Sequence, residues 1–307
     1  MSNNPAMKGV LSPVVTPFDA NLAPDAGRLV KHCKWLIDNN VGLAVFGTNS
    51  EANSMSTREK LRLLDALAES GLPTERMMPG TGACALDDSV ELTKRAVELG
   101  CGGVLMLPPF YYKGVPEEGL YRNFSEIIQR VGDDRLRIYL YHIPPVAQVG
   151  IPLGLIERLL KDYPGIVAGA KDSSGDWSNT EAMIDNFAAQ GFDVYPGSES
   201  FLLQAMRAGG AGCISATANV NPGPIAKLAA TWQGDDADAQ QEGLNVTRGI
   251  FQTYVMIPAL KAAIAHYGRD PEWNRLRPPL VELTAGEQKD LVAKLDASGF
   301  AMPGLAA

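Results

Sequence analysis

One segment of the chain reads Ile166-Val167-Ala168-Gly169-Ala170-Lys171-Asp172-Ser173-Ser174-Gly175-Asp176. Five small or apolar residues lead into Lys171, and a polar turn that contains a glycine follows directly. A short apolar run of this kind is typical of a β-strand buried on both faces, with the lysine at its carboxyl end. Removal from water favours the uncharged form of an amine, and an uncharged lysine can form a Schiff base with a carbonyl compound. The alternative is a structural lysine whose stem is buried and whose amine reaches the surface.

Strands of this kind recur along the chain and alternate with amphipathic helices. Eight predicted strands cover residues 10–17, 41–46, 77–80, 103–107, 136–141, 166–171, 192–197 and 211–216. Regular alternation of buried strands with helices indicates a parallel sheet, and eight repeats are the number found in a (β/α)8 TIM barrel. We therefore predict an α/β fold with a barrel over residues 7–234. Residues 235–307 show no strand pattern and are predicted to form a C-terminal helical region packed on the barrel.

The composition argues against several classes of function. The 307 residues carry a formal net charge of −8 and no run of Lys or Arg, so we expect neither a nucleic-acid partner nor an anionic membrane. The four cysteines are far apart and show no pattern of a metal site or a disulfide framework. Residues 1–10 lack the pattern of a signal peptide, and no apolar run is long enough to span a bilayer. We expect a cytoplasmic protein with no bound metal.

Barrel enzymes carry their active sites at the carboxyl ends of the strands, so the residues that follow each strand are the candidate site residues. These are Thr48, Asn49, Ser50, Glu51, Tyr111, Tyr112, Lys113, Tyr141, His142, Lys171, Ser173, Gly197, Ser198, Glu199, Ser215 and Thr217. Such a set can bind a 2-oxo acid, because N–H and hydroxyl groups hold its carboxylate, the lysine attacks the ketone and a phenol moves protons. The tyrosines can also be explained as packing at the barrel end, and Thr48 as a turn residue.

Four motifs in this order point to a known family. They are Gly47-Thr48-Asn49-Ser50-Glu51, Pro109-Phe110-Tyr111-Tyr112, Tyr141-His142-Ile143-Pro144 and Gly169-Ala170-Lys171-Asp172-Ser173-Ser174-Gly175-Asp176. Over residues 7 to about 300 the chain resembles the dihydrodipicolinate synthase and N-acetylneuraminate lyase superfamily of Schiff-base-forming barrels. That family usually has Gly-Thr-Thr-Gly-Glu or Gly-Ser-Thr-Gly-Glu at the first motif and Tyr-Asn-hydrophobic-Pro at the third.

The resemblance implies catalytic roles at the matching positions. Lys171 would form an imine with pyruvate or another 2-oxo acid, and Tyr141 would transfer protons. Thr48 would link Tyr141 to Tyr112, and in such enzymes the latter tyrosine often comes from a neighbouring subunit. The resemblance also implies a homotetramer and a reaction that needs no cofactor.

The resemblance further implies a set of substrate-binding residues. Thr48 and Asn49 would hold the substrate carboxylate, while Gly197 and the backbone carbonyl of Ile214 would border the same pocket. Two more residues, Ser173 and Glu199, lie where the sugar-acid lyases of the family contact substrate hydroxyls.

Three departures from the family pattern bear on the substrate. The synthase branch has an arginine after its third motif that binds the carboxylate of the semialdehyde, and Val146 occupies the matching position here. Asn49 and Ser50 replace the usual Thr and Gly of the carboxylate turn, and Ser50 adds a side chain that can change the turn. His142 replaces an asparagine and is either a hydrogen-bonding group of the pocket or a structural histidine.

We therefore predict a class I lyase, either an aldolase or a dehydratase, that acts on pyruvate or on a 2-oxo acid such as a 2-oxo-3-deoxy sugar acid. One alternative is 4-hydroxy-tetrahydrodipicolinate synthase, which condenses pyruvate with aspartate semialdehyde, with another residue in place of the missing arginine. An alternative of another class is a non-catalytic relative that binds a 2-oxo acid as a sensor. The joint presence of Lys171, Tyr141, Thr48 and Tyr112 argues against a sensor, which has no need of an imine.

Overall fold

The computed structural model of the chain describes residues 7–306. Residues 1–6, which belong to the segment interpreted above as lacking a signal peptide, lie outside the described residues, as does residue 307 of the predicted helical region. The chain falls into two compact units. The first unit joins residues 7–9 to Pro73–Ile214, and the second joins Val10–Leu72 to residues 215–306.

Short β-strands and longer α-helices alternate along the described part of the chain. The strands are β1 (Gly9–Ser12), β2 (Gly42–Leu43), β3 (Val104–Met106), β4 (Ile138–His142), β5 (Val167–Asp172), β6 (Asp193–Pro196) and β7 (Gly212–Ile214). The helices are α1 (Ala26–Asp38), α2 (Thr57–Glu69), α3 (Leu86–Glu98), α4 (Glu117–Val131), α5 (Pro144–Ala147), α6 (Leu153–Asp162), α7 (Trp177–Phe187), α8 (Leu202–Ala208), α9 (Pro222–Thr231), α10 (Ala237–Gln252), α11 (Met256–Tyr267) and α12 (Ala285–Ala297). Within residues 7–306, none of the helices combines the length and the apolar character needed to cross a membrane.

The first unit is built on a parallel sheet in the order β3-β4-β5-β6. Its strands are apolar because both faces are covered, and Leu140, Ala170 and Val194 are completely buried. The register pairs Tyr141 of β4 with Lys171 of β5. Paired residues of neighbouring strands project from the same face of a sheet, so this register places the two side chains next to each other.

The third predicted strand, residues 77–80, is reduced to a single parallel bridge between Gly80 and Leu105. The amide of Leu105 donates to the carbonyl of Pro79 at 2.9 Å, and the amide of Thr81 donates to the carbonyl of Leu105 at 3.0 Å. Pro79 has no N–H group to offer, so a longer ladder cannot form through it. At Gly82 the backbone comes so close to Leu107 that a Cβ atom would lie 2.2 Å from its amide nitrogen. The segment thus keeps the predicted direction and loses most of the predicted length.

The second unit contains the parallel pair β1–β2, in which Leu11 is opposite Gly42 and Ser12 is opposite Leu43. The predicted second strand, residues 41–46, ends early as a ladder. The amide of Ala44 still donates to the carbonyl of Ser12 at 2.8 Å, but Phe46 has a φ of 62° and turns the chain away. A left-handed residue cannot continue a strand, so the loop that follows β2 begins sooner than predicted.

Local capping groups determine where two helices of the second unit begin. Asp25 accepts a hydrogen bond from the amide of Arg28 and starts α1 as predicted. Ser56 and Glu59 form the predicted capping box at the start of α2. Each side chain satisfies an amide that the first turn of a helix leaves unbonded.

The C-terminal part of the chain is helical, as the missing strand pattern predicted. Helices α10 and α12 each bury a few apolar residues, whereas α11 is buried without interruption from Pro258 to Ala265. One of the buried residues of α11 is Lys261, which is unexpected in such an apolar helix. The boundary between residues 234 and 235 stays a prediction.

Candidate active site

Lys171 and Tyr141 form a buried pair at the carboxyl ends of β5 and β4. Both residues are only 2% exposed. The Nζ atom of Lys171 donates to the Tyr141 hydroxyl at 3.1 Å and lies 4.2 Å from the centroid of the same ring. A buried amine next to a phenol is the arrangement that imine chemistry requires, with a nucleophile and a group that can move a proton within hydrogen-bonding distance. The structural alternative, an amine that reaches the surface, does not fit this burial.

Asp172 points to the face of β5 opposite Lys171, because successive side chains of a strand alternate. Its carboxylate accepts hydrogen bonds from the Ser174 amide at 2.9 Å, from Asn179 at 3.0 Å and from the Thr180 hydroxyl at 2.7 Å. These bonds tie the end of the strand to the first turns of α7. Sequence reasoning passed over Asp172, although strand alternation next to a reactive lysine was the signal that could have identified it.

Ser173 and Gly197, two predicted binding residues, lie against each other after β5 and β6. The amide of Gly197 donates to the carbonyl of Asp172 at 2.6 Å, and the amide of Ser173 donates to the carbonyl of His142 at 2.7 Å. A Cβ atom at Gly197 would lie 2.1 Å from the Ser173 hydroxyl oxygen. Only glycine therefore lets Ser173 occupy this position.

The remaining predicted site residues of the first unit differ widely in exposure. Glu199 is completely buried at the start of a 3₁₀ turn after β6, and Ile214 is completely buried at the end of β7. Tyr112 is 73% exposed, and its ring makes an edge-to-face contact with Tyr111 at 5.3 Å. A large aromatic side chain in water is a residue that a partner molecule can cover.

Thr48 and Asn49 belong to the second unit, where they form a 3₁₀ turn with Ser50. Ser50 is completely buried, and its hydroxyl oxygen accepts a hydrogen bond from the amide of Gly47 at 3.1 Å. Its carbonyl accepts one from the Thr16 hydroxyl at 2.7 Å. The side chain of Ser50, which departs from the family pattern, is therefore buried beneath the turn and stabilises it by a hydrogen bond with the Gly47 amide.

His142 follows Tyr141 and points away from Lys171. Its Nδ1 atom accepts a hydrogen bond from the amide of Ile151 at 2.9 Å, which requires that this nitrogen carry no proton. Burial lowers the pKa of His142, although the nearby Asp172 carboxylate works in the opposite direction. These contacts favour the structural interpretation of this histidine, as a neutral ring that anchors the segment before α6.

Val146, the residue in place of the synthase arginine, is 61% exposed on the short helix α5. The nearby Lys113 donates from Nζ to the carbonyl of Ala147 at 2.6 Å and also to the carbonyl of Phe110. Lys113 is therefore occupied in closing the end of α5. Its position gives no direct replacement for the missing arginine.

Similarity to known proteins identifies the family of the chain. The model of the Dihydrodipicolinate synthetase family matches residues 6–298. The chain belongs to this family. It is 34% identical over 288 residues to an uncharacterized DapA-like lyase of Chloroflexus aurantiacus, covering 91% of this chain and 93% of the relative. It is 32% identical over 288 residues to a 4-hydroxy-tetrahydrodipicolinate synthase of Methanococcoides burtonii, covering 92% and 95%.

The fold agrees with a solved member of the family. The crystal structure of dihydrodipicolinate synthase from Agrobacterium tumefaciens has a TM-score of 0.87 to this chain at 27% sequence identity, covering 94% of this chain and 98% of the other. The predicted class, an α/β TIM barrel with a C-terminal helical region, is confirmed by this likeness and by the parallel strands. The chain is thus a lyase-family protein whose particular reaction must be argued from its residues.

Proposed function

We propose that this protein is a class I, Schiff-base-forming aldolase or dehydratase that acts on pyruvate or on a 2-oxo acid of the 2-oxo-3-deoxy sugar acid type. The observation that carries the proposal is the buried contact of 3.1 Å between Lys171 Nζ and the Tyr141 hydroxyl. A structural lysine has no need of a phenol in this position, whereas an imine-forming lysine needs a proton carrier beside it.

The proposed reaction begins when the uncharged amine of Lys171 attacks the 2-oxo carbon. The carbinolamine that forms loses its hydroxyl group as water, which leaves a protonated imine. In an aldol cleavage the imine accepts the electron pair of the C–C bond, while the neighbouring hydroxyl group gives up its proton, so an enamine forms and an aldehyde departs. In a dehydration the carbon next to the imine first loses a proton to give the enamine, which then expels the hydroxyl group of the following carbon as water once that group is protonated. Tyr141 accepts or returns the proton that each step requires. Hydrolysis of the imine then frees the product and the lysine, with no cofactor.

The proposed binding residues form two groups, one for the carboxylate of the substrate and one for its hydroxyl groups. Thr48 and Asn49 are proposed to hold the carboxylate, and Gly197 and the carbonyl of Ile214 are proposed as further substrate contacts. Ser173 and Glu199 face the hydroxyl groups of a sugar-acid chain. The position of Val146 supports a substrate without a second carboxylate, because an apolar side chain replaces a bidentate carboxylate binder.

The second candidate function is 4-hydroxy-tetrahydrodipicolinate synthase, the activity after which the relative from Methanococcoides burtonii is named. One contact supports a replacement for the arginine. Arg248 of α10 donates from Nη1 to the hydroxyl of Ser215 at 3.3 Å, and Ser215 directly follows β7. If this activity is present, the purified protein consumes aspartate semialdehyde together with pyruvate, and Arg248→Met weakens use of the semialdehyde but not of pyruvate.

A sensor that binds a 2-oxo acid without turnover is the candidate of another class. It predicts reversible binding of pyruvate with no release of product from any 2-oxo acid. A screen of 2-oxo acids that follows both pyruvate release and loss of the substrate separates the two classes, because an aldolase frees pyruvate, a dehydratase consumes its substrate and a sensor does neither.

We further propose that the protein is a cytoplasmic homotetramer in which Tyr112 reaches a neighbouring subunit. The exposure of Tyr112 and Tyr111 in the single chain supports this, since both rings are more than 70% exposed. Exposure of two adjacent aromatic side chains to solvent is unfavourable, and contact with a partner subunit would remove their apolar surface from water.

The decisive experiment is reduction with borohydride in the presence of pyruvate, followed by mass mapping of the peptides. We expect one adduct, on Lys171, and none in the Lys171→Ala variant, which should keep its fold and lose turnover. Lys227→Ala is the matched control, because Lys227 is an exposed lysine on α9. An unmodified Lys171 at saturating pyruvate contradicts the proposal.

A further inference from the structure

The second unit contains an ion pair that is completely removed from solvent. The Glu51 and Lys261 side chains are both 0% exposed, and the Oε1 atom of Glu51 accepts a hydrogen bond from Lys261 Nζ at 2.7 Å. Its Oε2 atom accepts another from the backbone amide of Arg277 at 3.0 Å. Burial of two charges carries a desolvation cost that their attraction often fails to offset, so a pair of this kind is poorly explained by stability alone.

Glu51 is the residue that ends the turn of Thr48–Ser50. Its amide donates to the carbonyl of Thr48 at 3.1 Å, and its backbone has a left-handed φ of 55°. Residues other than glycine adopt this conformation only where the surroundings impose it, and such strain concentrates at functional sites. The bonds to Lys261 and Arg277 fix the side chain of Glu51, and backbone hydrogen bonds to Thr48 and Ser54 fix its main chain.

Both partners of Glu51 come from the C-terminal helical part of the chain. Lys261 lies in the middle of α11, and its Nζ atom is 4.7 Å from the centroid of the Phe18 ring. The guanidinium of Arg277 lies 4.8 Å from the same ring and donates to Glu59 at 2.6 Å. The Glu51 carboxylate is thus held by one cation, the Lys261 ammonium, and by the backbone amide of Arg277, whose guanidinium is fixed by its own ion pair with Glu59.

We propose that Glu51 and Lys261 are positioning residues, which fix the backbone of the Gly47–Glu51 turn so that it can receive the carboxylate of a 2-oxo acid. The proposal rests on the proposed function, in which Thr48 and Asn49 hold that carboxylate. It assigns to α11 a part in substrate recognition, although α11 supplies no group that touches the substrate.

The charge of the pair matters as much as its geometry. An anionic Glu51 next to a turn that binds an anion would repel the substrate if the glutamate were alone. The ammonium of Lys261 makes the pair neutral, so the N–H and hydroxyl groups of the turn face the carboxylate without an opposing charge. Loss of the ammonium therefore penalises a charged ligand and leaves a neutral ligand of the same shape almost unaffected.

The test compares pyruvate with methyl pyruvate, which has the same ketone and no charge. The fraction of protein trapped on Lys171 by borohydride is measured against the concentration of each compound. For Lys261→Met we expect the half-saturating concentration of pyruvate to rise at least tenfold and that of methyl pyruvate to change less than threefold. For Glu51→Asp, which keeps the charges paired but shortens the reach of the carboxylate, we expect a rise of at least threefold for pyruvate only.

The control is Lys294→Met, which removes a lysine–carboxylate contact of 2.6 Å from the exposed face of α12 and should leave both curves unchanged. If Lys261→Met fails to fold, Glu51→Asp decides the outcome, because its buried charges remain paired. Equal shifts for the two compounds, or no shift, overturn the positioning role while the adduct on the wild-type protein still supports the proposed function. If the wild-type protein forms no adduct, the proposed function fails and the positioning role fails with it.

Discussion

The role of the Tyr141 hydroxyl group can be tested by a substitution that removes a single oxygen atom. Tyr141→Phe removes the oxygen that Lys171 contacts at 3.1 Å and keeps the ring that lies 4.2 Å from the amine. Because general acid–base catalysis contributes about 10²- to 10⁴-fold, we expect turnover to fall by that factor. The adduct with pyruvate should still be trapped by borohydride. Turnover equal to that of the wild type would show that another group moves the proton.

Gly197 is a residue whose missing side chain makes room for Ser173. A methyl group at Gly197 would lie 2.1 Å from the Ser173 hydroxyl oxygen, so we expect Gly197→Ala to cost about 1–3 kcal/mol in unfolding free energy and to impair substrate binding. Chemical denaturation measures the first effect. The double variant Ser173→Ala/Gly197→Ala should recover only part of the lost stability, because the Ser173 Cβ atom, 2.8 Å from the added methyl group, remains.

The matched control for Gly197 is Gly249 on α10, where a Cβ atom would meet no other atom within 4 Å. Gly249→Ala should stabilise the protein by about 0.5–1 kcal/mol, because alanine is the better residue in a helix. A Gly197→Ala variant that is as stable as the wild type would show that Ser173 can move aside without cost.

Asp193 gives the stability of the protein a defined dependence on pH. Burial raises the pKa of Asp193 to about 6, although the charge of Lys8 and a hydrogen bond of 3.4 Å from the Tyr139 hydroxyl lower it. The folded chain therefore binds a proton more tightly than the unfolded chain does. The resulting stability is present below about pH 4 and is lost as the pH rises towards 6.

Asp193→Asn should remove this dependence. We expect the variant to be more stable than the wild type by roughly 1 kcal/mol at pH 8, and the difference to disappear below about pH 4. Denaturant titrations at several pH values measure it, with Asp185→Asn on the exposed face of α7 as the control. Parallel stability curves for the wild type and Asp193→Asn would contradict the assignment.

At the residue scale, the sequence identified chemistry that is local and missed chemistry that is distant. The contact between Lys171 and Tyr141 could be predicted because each is the last residue of a predicted strand and lies within a motif. The partnership of Glu51 with Lys261 could not, since 210 positions separate them and an apolar helix gives no sign that its lysine is paired. The inward fold of Ser50 was also beyond the sequence, because a serine in a turn can face either way.

His142, at the end of β4, is hydrogen-bonded to the loop between α5 and α6, so its replacement should affect that whole loop. Its ring accepts the Ile151 amide at 2.9 Å and so holds the end of the loop between α5 and α6. His142→Ala leaves that buried amide without its acceptor, which costs about 1–3 kcal/mol. We expect faster hydrogen exchange at Ile151, measured by NMR or mass spectrometry, with His266→Ala on α11 as the control. Unchanged exchange would mean that the loop is held elsewhere.

The elements that the sequence predicted best are those with local signals at their ends. Ser56 with Glu59 marked the start of α2, and Asp25 marked the start of α1, because capping involves residues only three positions apart. The third predicted strand was overestimated for the opposite reason. Its pairing partner β3 lies elsewhere in the chain, and the lack of a donor at Pro79 matters only once the ladder is formed.

For the whole molecule, we expect a homotetramer of 32.8 kDa chains in solution. The exposed Tyr112 supports this, as described above. Multi-angle light scattering should give four times the chain mass, and Tyr112→Ala should lower turnover more than Val255→Ala, which truncates another exposed apolar residue. A fully active monomer would exclude a catalytic contribution from a neighbouring subunit.

The fold of the whole molecule was predictable from periodicity, whereas its substrate was not. Eight repeats of a buried strand and an amphipathic helix allow few architectures, so the barrel class followed from the pattern. The proposed substrate depends on a few side chains such as Val146. This residue stands in place of the synthase arginine, which argues against the semialdehyde but does not identify another substrate. The C-terminal helices were recognised as helices, but the pattern gave no sign of the buried Lys261, for which we propose a positioning role.

The contact between Glu51 and Lys261 also constrains the order in which the molecule is made. During synthesis Glu51 leaves the ribosome long before Lys261, so for most of synthesis the turn after β2 lacks the counter-ion of Glu51. Contacts between such distant positions form late and slowly, because a long loop must close first. On the roles proposed for Lys171 and for the Gly47–Glu51 turn, we expect a chain that lacks α11 to have its nucleophile without a completed binding turn, and to be inactive until synthesis is nearly finished.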